Sequence, residues 1–141
     1  MLAGSDSRAL LKFACRLAEQ AYLAERCVFV WLEDAPQLQS FDELLWTFAD
    51  RAFVPHDLYS DPRQWRDTAV LLSCTAQPQQ PFDMLLNLAA EVPASAAHAH
   101  GIAEVVDADE ARRRCGRNRF RHYRDQRLTP ETHNIGADDP R

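Results

Sequence analysis

The segment Cys27-Val-Phe-Val-Trp-Leu32 is apolar at every position and rich in residues that favour β-strands. A strand with one face in water alternates polar and apolar residues, so an unbroken apolar run predicts a strand buried on both faces. The segment Ala69-Val-Leu-Leu-Ser-Cys74 has a similar character, and two further strands are predicted over Met84–Leu88 and Ile102–Val106. Together these segments indicate a sheet at the centre of the protein.

Helices are predicted between these strands. Leucines and alanines recur at helical spacing over a segment that runs from about Ser7 to Glu25. Further helices are predicted at three places: around Phe41–Phe48, over Ala94–His100 and over Glu110–Arg127. The polar segment 57–66 predicts a loop. Strands that alternate with helices form βαβ units, so we expect a three-layer α/β domain with a mostly parallel sheet.

Length and composition predict a single packed domain over residues 1–141. The chain has 141 residues, of which 46% are apolar and 26% are charged. Its polar end, residues 129–141, is expected to be a loosely ordered tail. The longest apolar run has six residues, whereas a membrane helix needs about 20. We therefore expect a cytoplasmic protein without membrane contact.

The start of the chain is unusual for this fold class. Met1-Leu-Ala-Gly4 stands directly before the first predicted helix, without a complete strand to lead into it. We therefore expect the first strand to be truncated. The sheet would then have a gap at one place or an unpaired edge.

The sequence carries no recognisable motif of a catalytic, cofactor or metal site. Neither glycine-rich phosphate loop, G-x-G-x-x-G or G-x-x-x-x-G-K-[ST], occurs in the sequence. The four cysteines, Cys15, Cys27, Cys74 and Cys115, stand far apart, whereas zinc and redox sites usually need closely spaced thiols. We expect no catalytic residue, no cofactor and no metal.

Positive charge is concentrated near the C-terminus. The chain has a formal net charge of −5, yet the segment Arg112–Arg127 contains eight arginines and a single acid, Asp125. A helix through this segment brings Arg117, Phe120, Arg121 and Arg124 to one face, because they fall at i, i+3, i+4 and i+7. An acidic protein with one strongly basic helix is typical of a polarised binding module.

Three interpretations of this face follow from the residues alone. It is a solvated arginine face with Phe120 turned into the core, or it binds an anion that offsets the repulsion between Arg117 and Arg121. An acidic peptide that ends in an apolar residue and a free carboxylate suits arginines beside an aromatic ring. The phosphate backbone of nucleic acid is the other candidate anion.

Trp46 and Phe53 form a second candidate site. Trp46 is out of step with the apolar positions Phe41, Leu44 and Leu45 of the second predicted helix. A surface Trp near a surface Phe would be typical of a protein interface, whereas buried rings would be core packing. Helical spacing does not decide between the two.

Several segments resemble the chi subunit family of bacterial DNA polymerase III in order and spacing, from about residue 8 to residue 134. Asp42-Glu-Leu-Leu-Trp46 and Phe53-Val-Pro-His-Asp-Leu58 are the most specific of them. The others are Phe13–Glu19, Leu85–Pro93 and Arg117–Arg124. The resemblance implies a Rossmann-like domain with no activity of its own, an accessory subunit of a DNA-directed DNA polymerase within the clamp-loader assembly.

The resemblance also implies two partners. The psi subunit would contact Trp46 and Phe53, and the C-terminal tail of single-stranded DNA-binding protein would bind Arg117, Phe120 and Arg121, with Arg124 on the same face. The protein would then be an adaptor in DNA replication. Direct nucleic-acid binding through the arginines is the alternative, although a net charge of −5 favours only indirect or weak contact with DNA.

Overall fold

The computed structural model describes residues 4–47, 54–66, 69–89, 91–106, 110–126, 128 and 131–134. The strands are β1 (Val28–Trp31), β2 (His56–Leu58), β3 (Val70–Ser73), β4 (Phe82–Asn87), β5 (Ala99–Val106) and β6 (Glu131–Asn134). They form one sheet of six strands in the order β2-β3-β1-β4-β5-β6. Every pairing in this described sheet is parallel, which confirms the predicted fold class.

β1 lies inside the sheet, as its apolar sequence predicts. Val28 pairs with Val70 of β3 on one side and with Met84 of β4 on the other. Val28, Phe29 and Val30 have no exposed surface. Since a strand in this position has neighbours on both edges and helices over both faces, every side chain along it is apolar.

Helices cover the sheet on both faces. The helices are α1 (Gly4–Leu23), α2 (Ala35–Thr47) and α3 (Glu110–Asp125), and short 3-10 helices span Pro62–Arg66 and Ala94–His98. α1 and α2 pack with Val28 and Val30, whereas α3 packs its Tyr123 with Phe29. Successive side chains of a strand point to opposite faces, so α3 lies on the other side of the sheet from α1 and α2.

Segment 57–66 differs from the predicted loop. Its first residues belong to β2, and Pro62–Arg66 is a 3-10 helix. The side chain of Gln64 connects the two, since its Oε1 accepts hydrogen bonds from the backbone amides of Ser60 and Asp61. β2 is an edge strand with exposed side chains at Asp57 and Leu58, so no apolar pattern reveals it.

The C-terminal segment also differs from expectation. Within the predicted loose tail, residues 129–141, Glu131–Asn134 forms β6 and pairs with Ala103–Val106 of β5. A polar segment can do this because an edge pairing is made by backbone groups and needs no apolar side chain. Residues 129, 130 and 135–141 lie outside the described part of the chain.

The described sheet has no gap. Its strands follow one another without interruption, and its edges are β2 and β6. Residues 1–3, where the truncated first strand is expected, lie outside the described part of the chain. Among the described residues, no helix is both long and apolar enough to span a membrane.

Candidate protein-binding surfaces

α3 exposes the four side chains that the sequence places on one face. Arg117, Phe120, Arg121 and Arg124 are all exposed, and we call them the arginine-rich surface. Phe120 is 44% exposed, so the interpretation that turns it into the core is wrong. Tyr123 is the aromatic residue of α3 that enters the core, where it has no exposed surface.

A buried polar cluster holds the inner face of α3. Arg119 donates through Nε to Oε1 of Glu104 on β5, at 2.8 Å. Tyr123 donates its hydroxyl to Oε2 of the same carboxylate, and Asn87 of β4 donates to that oxygen at 3.1 Å. Both oxygens of one buried carboxylate are therefore occupied by neighbouring side chains, two of them from α3.

Burial dominates the electrostatics of this cluster. It raises the pKa of Glu104 above its ordinary value, although the charge of Arg119 and the hydrogen bonds act in the opposite direction. Burial, and next the charge of Glu104, raise the pKa of the Tyr123 hydroxyl. Tyr123 is therefore a neutral donor at physiological pH, as its bond to Glu104 requires.

Asn87 and Glu104 lie near the carboxyl ends of β4 and β5. Open parallel sheets commonly bind ligands beyond the carboxyl ends of their strands. Here Asn87 and Glu104 are paired in register at that end, and α3 covers them with Arg119 and Tyr123. The polar groups at this position serve to seat a helix.

Trp46 lies at the surface, near the end of α2. Its side chain is 48% exposed, and its ring centroid is 4.5 Å from that of His56. His56 Nε2 is 2.7 Å from Oδ1 of Asp42, one turn before Trp46 on the same helix. The structure therefore places Trp46 at the surface. Phe53, its predicted companion, lies outside the described residues.

The two segments most specific to the family resemblance meet at this point. Asp42 and Trp46 come from Asp42-Glu-Leu-Leu-Trp46, and His56 comes from Phe53-Val-Pro-His-Asp-Leu58. His56 Nδ1 is in addition 2.7 Å from the carbonyl oxygen of Val54. The imidazole thus links α2 to the start of β2, and Trp46 rests against it.

The two surfaces lie on opposite sides of the sheet. Trp46 belongs to α2, which packs with the face of β1 that carries Val28 and Val30. The arginine-rich surface belongs to α3, which packs on the face that carries Phe29. The sheet therefore separates the two surfaces.

Sequence reasoning missed the buried cluster. Glu104 is the one acidic residue within the apolar segment Ile102–Val106, and a charge in such a strand signals a buried partner. Arg119, by contrast, is one of many arginines in its segment and carries no signal of its own. Among the described residues, no group of three side chains suitable for a metal ion exists.

Comparisons with known proteins identify the family of this chain. A family model described as DNA polymerase III chi subunit, HolC, matches residues 2–131. A DNA polymerase III subunit chi from Pseudomonas aeruginosa is 32% identical over 135 residues, which cover 96% of this chain and 93% of the relative. A second, from Haemophilus influenzae, is 28% identical over 125 residues, which cover 89% and 87%. Since the match extends over nearly the whole chain, this protein belongs to the DNA polymerase III chi subunit family.

Proposed function

We propose that this protein is a non-catalytic adaptor of the DNA polymerase III assembly, which joins a psi subunit to the C-terminal tail of single-stranded DNA-binding protein. Membership of the chi family supports an accessory role in replication. The observation that carries the finer proposal is the exposure of Arg117, Phe120, Arg121 and Arg124 together on α3. No apolar core requirement accounts for an aromatic ring among exposed arginines.

The arginine-rich surface suits an acidic chain terminus. The tail that the family resemblance implies has aspartates, then an apolar end with a free carboxylate. Arg117 would bind that carboxylate, because a guanidinium donates two parallel charge-assisted hydrogen bonds to it. Phe120, one turn further, would pack the terminal apolar side chain. Arg121 and Arg124 would attract the aspartates.

Trp46 is the residue proposed to hold psi, together with Phe53. Large aromatic side chains that remain half-exposed are typical of interface residues that dominate binding. The contact of Trp46 with His56 supports this role, because a ring that is already held loses little conformational entropy on binding. The opposite positions of α2 and α3 on the sheet support simultaneous binding of both partners.

Calorimetric titration of a tail peptide into the full chain tests the tail-binding part. The peptide carries aspartates and a terminal aromatic residue, and the control is the same peptide with an amidated C-terminus. We expect the free-carboxylate peptide to bind, the amide to bind much more weakly, and affinity to fall as salt rises. Equal affinities for both peptides would contradict the proposed role of Arg117.

Direct nucleic-acid binding gives a different result in the same experiment. If the arginine-rich surface receives phosphates, a single-stranded oligonucleotide binds and the tail peptide does not displace it. If the surface receives the tail, the oligonucleotide binds weakly and the tail peptide displaces it. The net charge of −5 favours the second outcome.

A further inference from the structure

We propose that Glu104 is the positioning residue of the arginine-rich surface: it sets the rotation of α3 about its own axis by binding Arg119 and Tyr123. The surface that it positions is the one assigned to the tail above, so the inference rests on the proposed function. The residue itself lies on β5, on the inner side of the helix, and its side chain is only 5% exposed.

The described side chains of α3 bury little apolar surface. Tyr123 is its only fully buried side chain among those described. A typical amphipathic helix buries three or four apolar side chains over every two turns. Burial of these described side chains therefore favours one rotation of α3 over another only weakly.

The arginines of α3 make a wrong rotation chemically plausible. Arg117, Arg119 and Arg121 carry the same guanidinium, and any of them can pair with a carboxylate. A helix turns by about 100° per residue, so Arg117 and Arg121 lie about 200° from Arg119, on the opposite side. When Arg119 takes Glu104, Arg117 and Arg121 therefore point to solvent.

Glu104 selects Arg119 by a two-point attachment. Its Oε1 accepts from Arg119 and its Oε2 accepts from Tyr123, two residues that are four positions apart on one face of α3. The side chains of Glu104 and Arg119 are only 5% and 11% exposed. In a rotation that brings another arginine to Glu104, the buried carboxylate would lose the bond from Tyr123, which is unfavourable.

The Glu104–Arg119 pair orients α3 more than it stabilises the fold. A buried ion pair often gives no net stabilisation relative to apolar side chains of similar size, because desolvation offsets the attraction. The raised pKa of Glu104 agrees with this, since burial outweighs the effect of Arg119 on that carboxyl. Removal of the whole cluster should therefore leave the fold stable while α3 loses its single orientation.

The test is a triple variant of the full chain, Glu104→Met, Arg119→Met and Tyr123→Phe. It removes all three polar partners together and leaves Asn87 its bonds to the backbone of Ala89 and Glu91. The matched control is Arg114→Met, which removes one charge from an exposed position of the same helix. Thermal unfolding and titration with the tail peptide are measured for both.

We expect the triple variant to melt at or above the wild-type temperature, because desolvation offsets the attraction within the buried pair. It should bind the peptide about tenfold more weakly than the Arg114→Met control, because the cluster and the surface are coupled through α3. A merely structural role predicts that affinity follows stability. An affinity within twofold of the control, at unchanged stability, would overturn the proposal.

A second measurement separates this inference from the proposed function. Amide resonances of α3 in nitrogen-labelled protein should form one set in the wild type and several or broadened sets in the triple variant. This readout needs no peptide. If the wild type binds no tail peptide, the proposed function fails, whereas a single unchanged set of α3 resonances in the triple variant contradicts the role of Glu104.

Discussion

Asp42 and His56 are joined by a contact of 2.7 Å between Oδ1 and Nε2. His56 Nδ1 lies equally close to the carbonyl oxygen of Val54. Each ring nitrogen of His56 therefore faces an oxygen of a neighbouring group. The His56 side chain is almost completely buried, and its ring supports the exposed Trp46. A surface residue is thus held in place by a buried one.

This relationship predicts an effect on psi binding. Trp46→Ala should weaken binding of psi by about 2 kcal/mol or more, as for other central interface aromatics. Asp42→Ala should weaken psi binding less, because the substitution frees the His56 ring that supports Trp46 but leaves Trp46 itself in place. Calorimetric titration with psi measures both. Leu23→Ala is the control, since Leu23 is 69% exposed on α1, and a loss of similar size there would argue against a specific site.

The arginines of the surface should differ in their effect on tail binding. We expect Arg117→Ala to weaken the tail peptide by about 2–3 kcal/mol and Arg124→Ala by less than half as much. Arg117 is assigned the terminal carboxylate, whereas Arg124 is an outlying charge that acts at longer range. Titration of a labelled peptide into the two variants measures the difference. Unchanged affinity in both would mean that the surface is only solvated.

Phe120 separates apolar packing from charge. Phe120→Ala should weaken the tail peptide by about 1–2 kcal/mol, because it removes the apolar contact with the terminal side chain. Phe120→Tyr keeps the ring and should bind nearly as well as the wild type. The melting temperature should change little in either variant, since the ring is 44% exposed. A large fall in stability with Phe120→Ala would indicate that the ring belongs to the core.

Glu104 predicts a pH dependence of stability with a definite sign. Its pKa in the folded protein is raised above the ordinary value of 4.5 mainly by burial. The folded state therefore binds this proton more tightly than the unfolded state does. The resulting stabilisation is complete below the ordinary pKa and is lost as pH rises through the folded value.

Denaturant unfolding of the wild type and of Glu104→Gln, at a series of pH values from about 4 to 7, measures this effect. The free energy of unfolding of the wild type should fall relative to that of the variant as pH rises. Glutamine is the matched replacement because it has the same size and does not ionise in this pH range. A difference that is constant over this range would show that Glu104 does not titrate differently in the two states.

Cys15 should resist alkylation in the folded protein. Its side chain has no exposed surface, and burial raises its pKa to about 12. The reactive thiolate is therefore scarce at neutral pH, and reagents cannot reach it. Mass spectrometry after short exposure to iodoacetamide should find Cys15 unmodified until denaturant is added. Cys74, which is half-buried, serves as the internal comparison, and modification of Cys15 at an equal rate would contradict the packing of α1.

β1 and β3 could be predicted from the sequence because they are buried on both faces, and such strands are apolar throughout. β2 and β6 could not, since each lies at an edge and pairs through its backbone, with polar residues such as Asp57 and Thr132. The sequence does not decide whether Phe120 is exposed or turned into the core. Helical spacing places it beside Arg117 and Arg121, but spacing alone does not say which face of a helix meets the sheet.

The sequence by itself determined the central parallel sheet and the grouping of Arg117, Phe120, Arg121 and Arg124, because both follow from the periodicity of residues close together in the chain. Only the tertiary structure decided that this group faces outward and that Trp46 rests on His56. The first depends on Glu104, which lies 15 residues from Arg119 and 19 from Tyr123. The second depends on Asp42 and His56, which are 14 residues apart. Contacts over such separations arise from packing, and no local pattern encodes them.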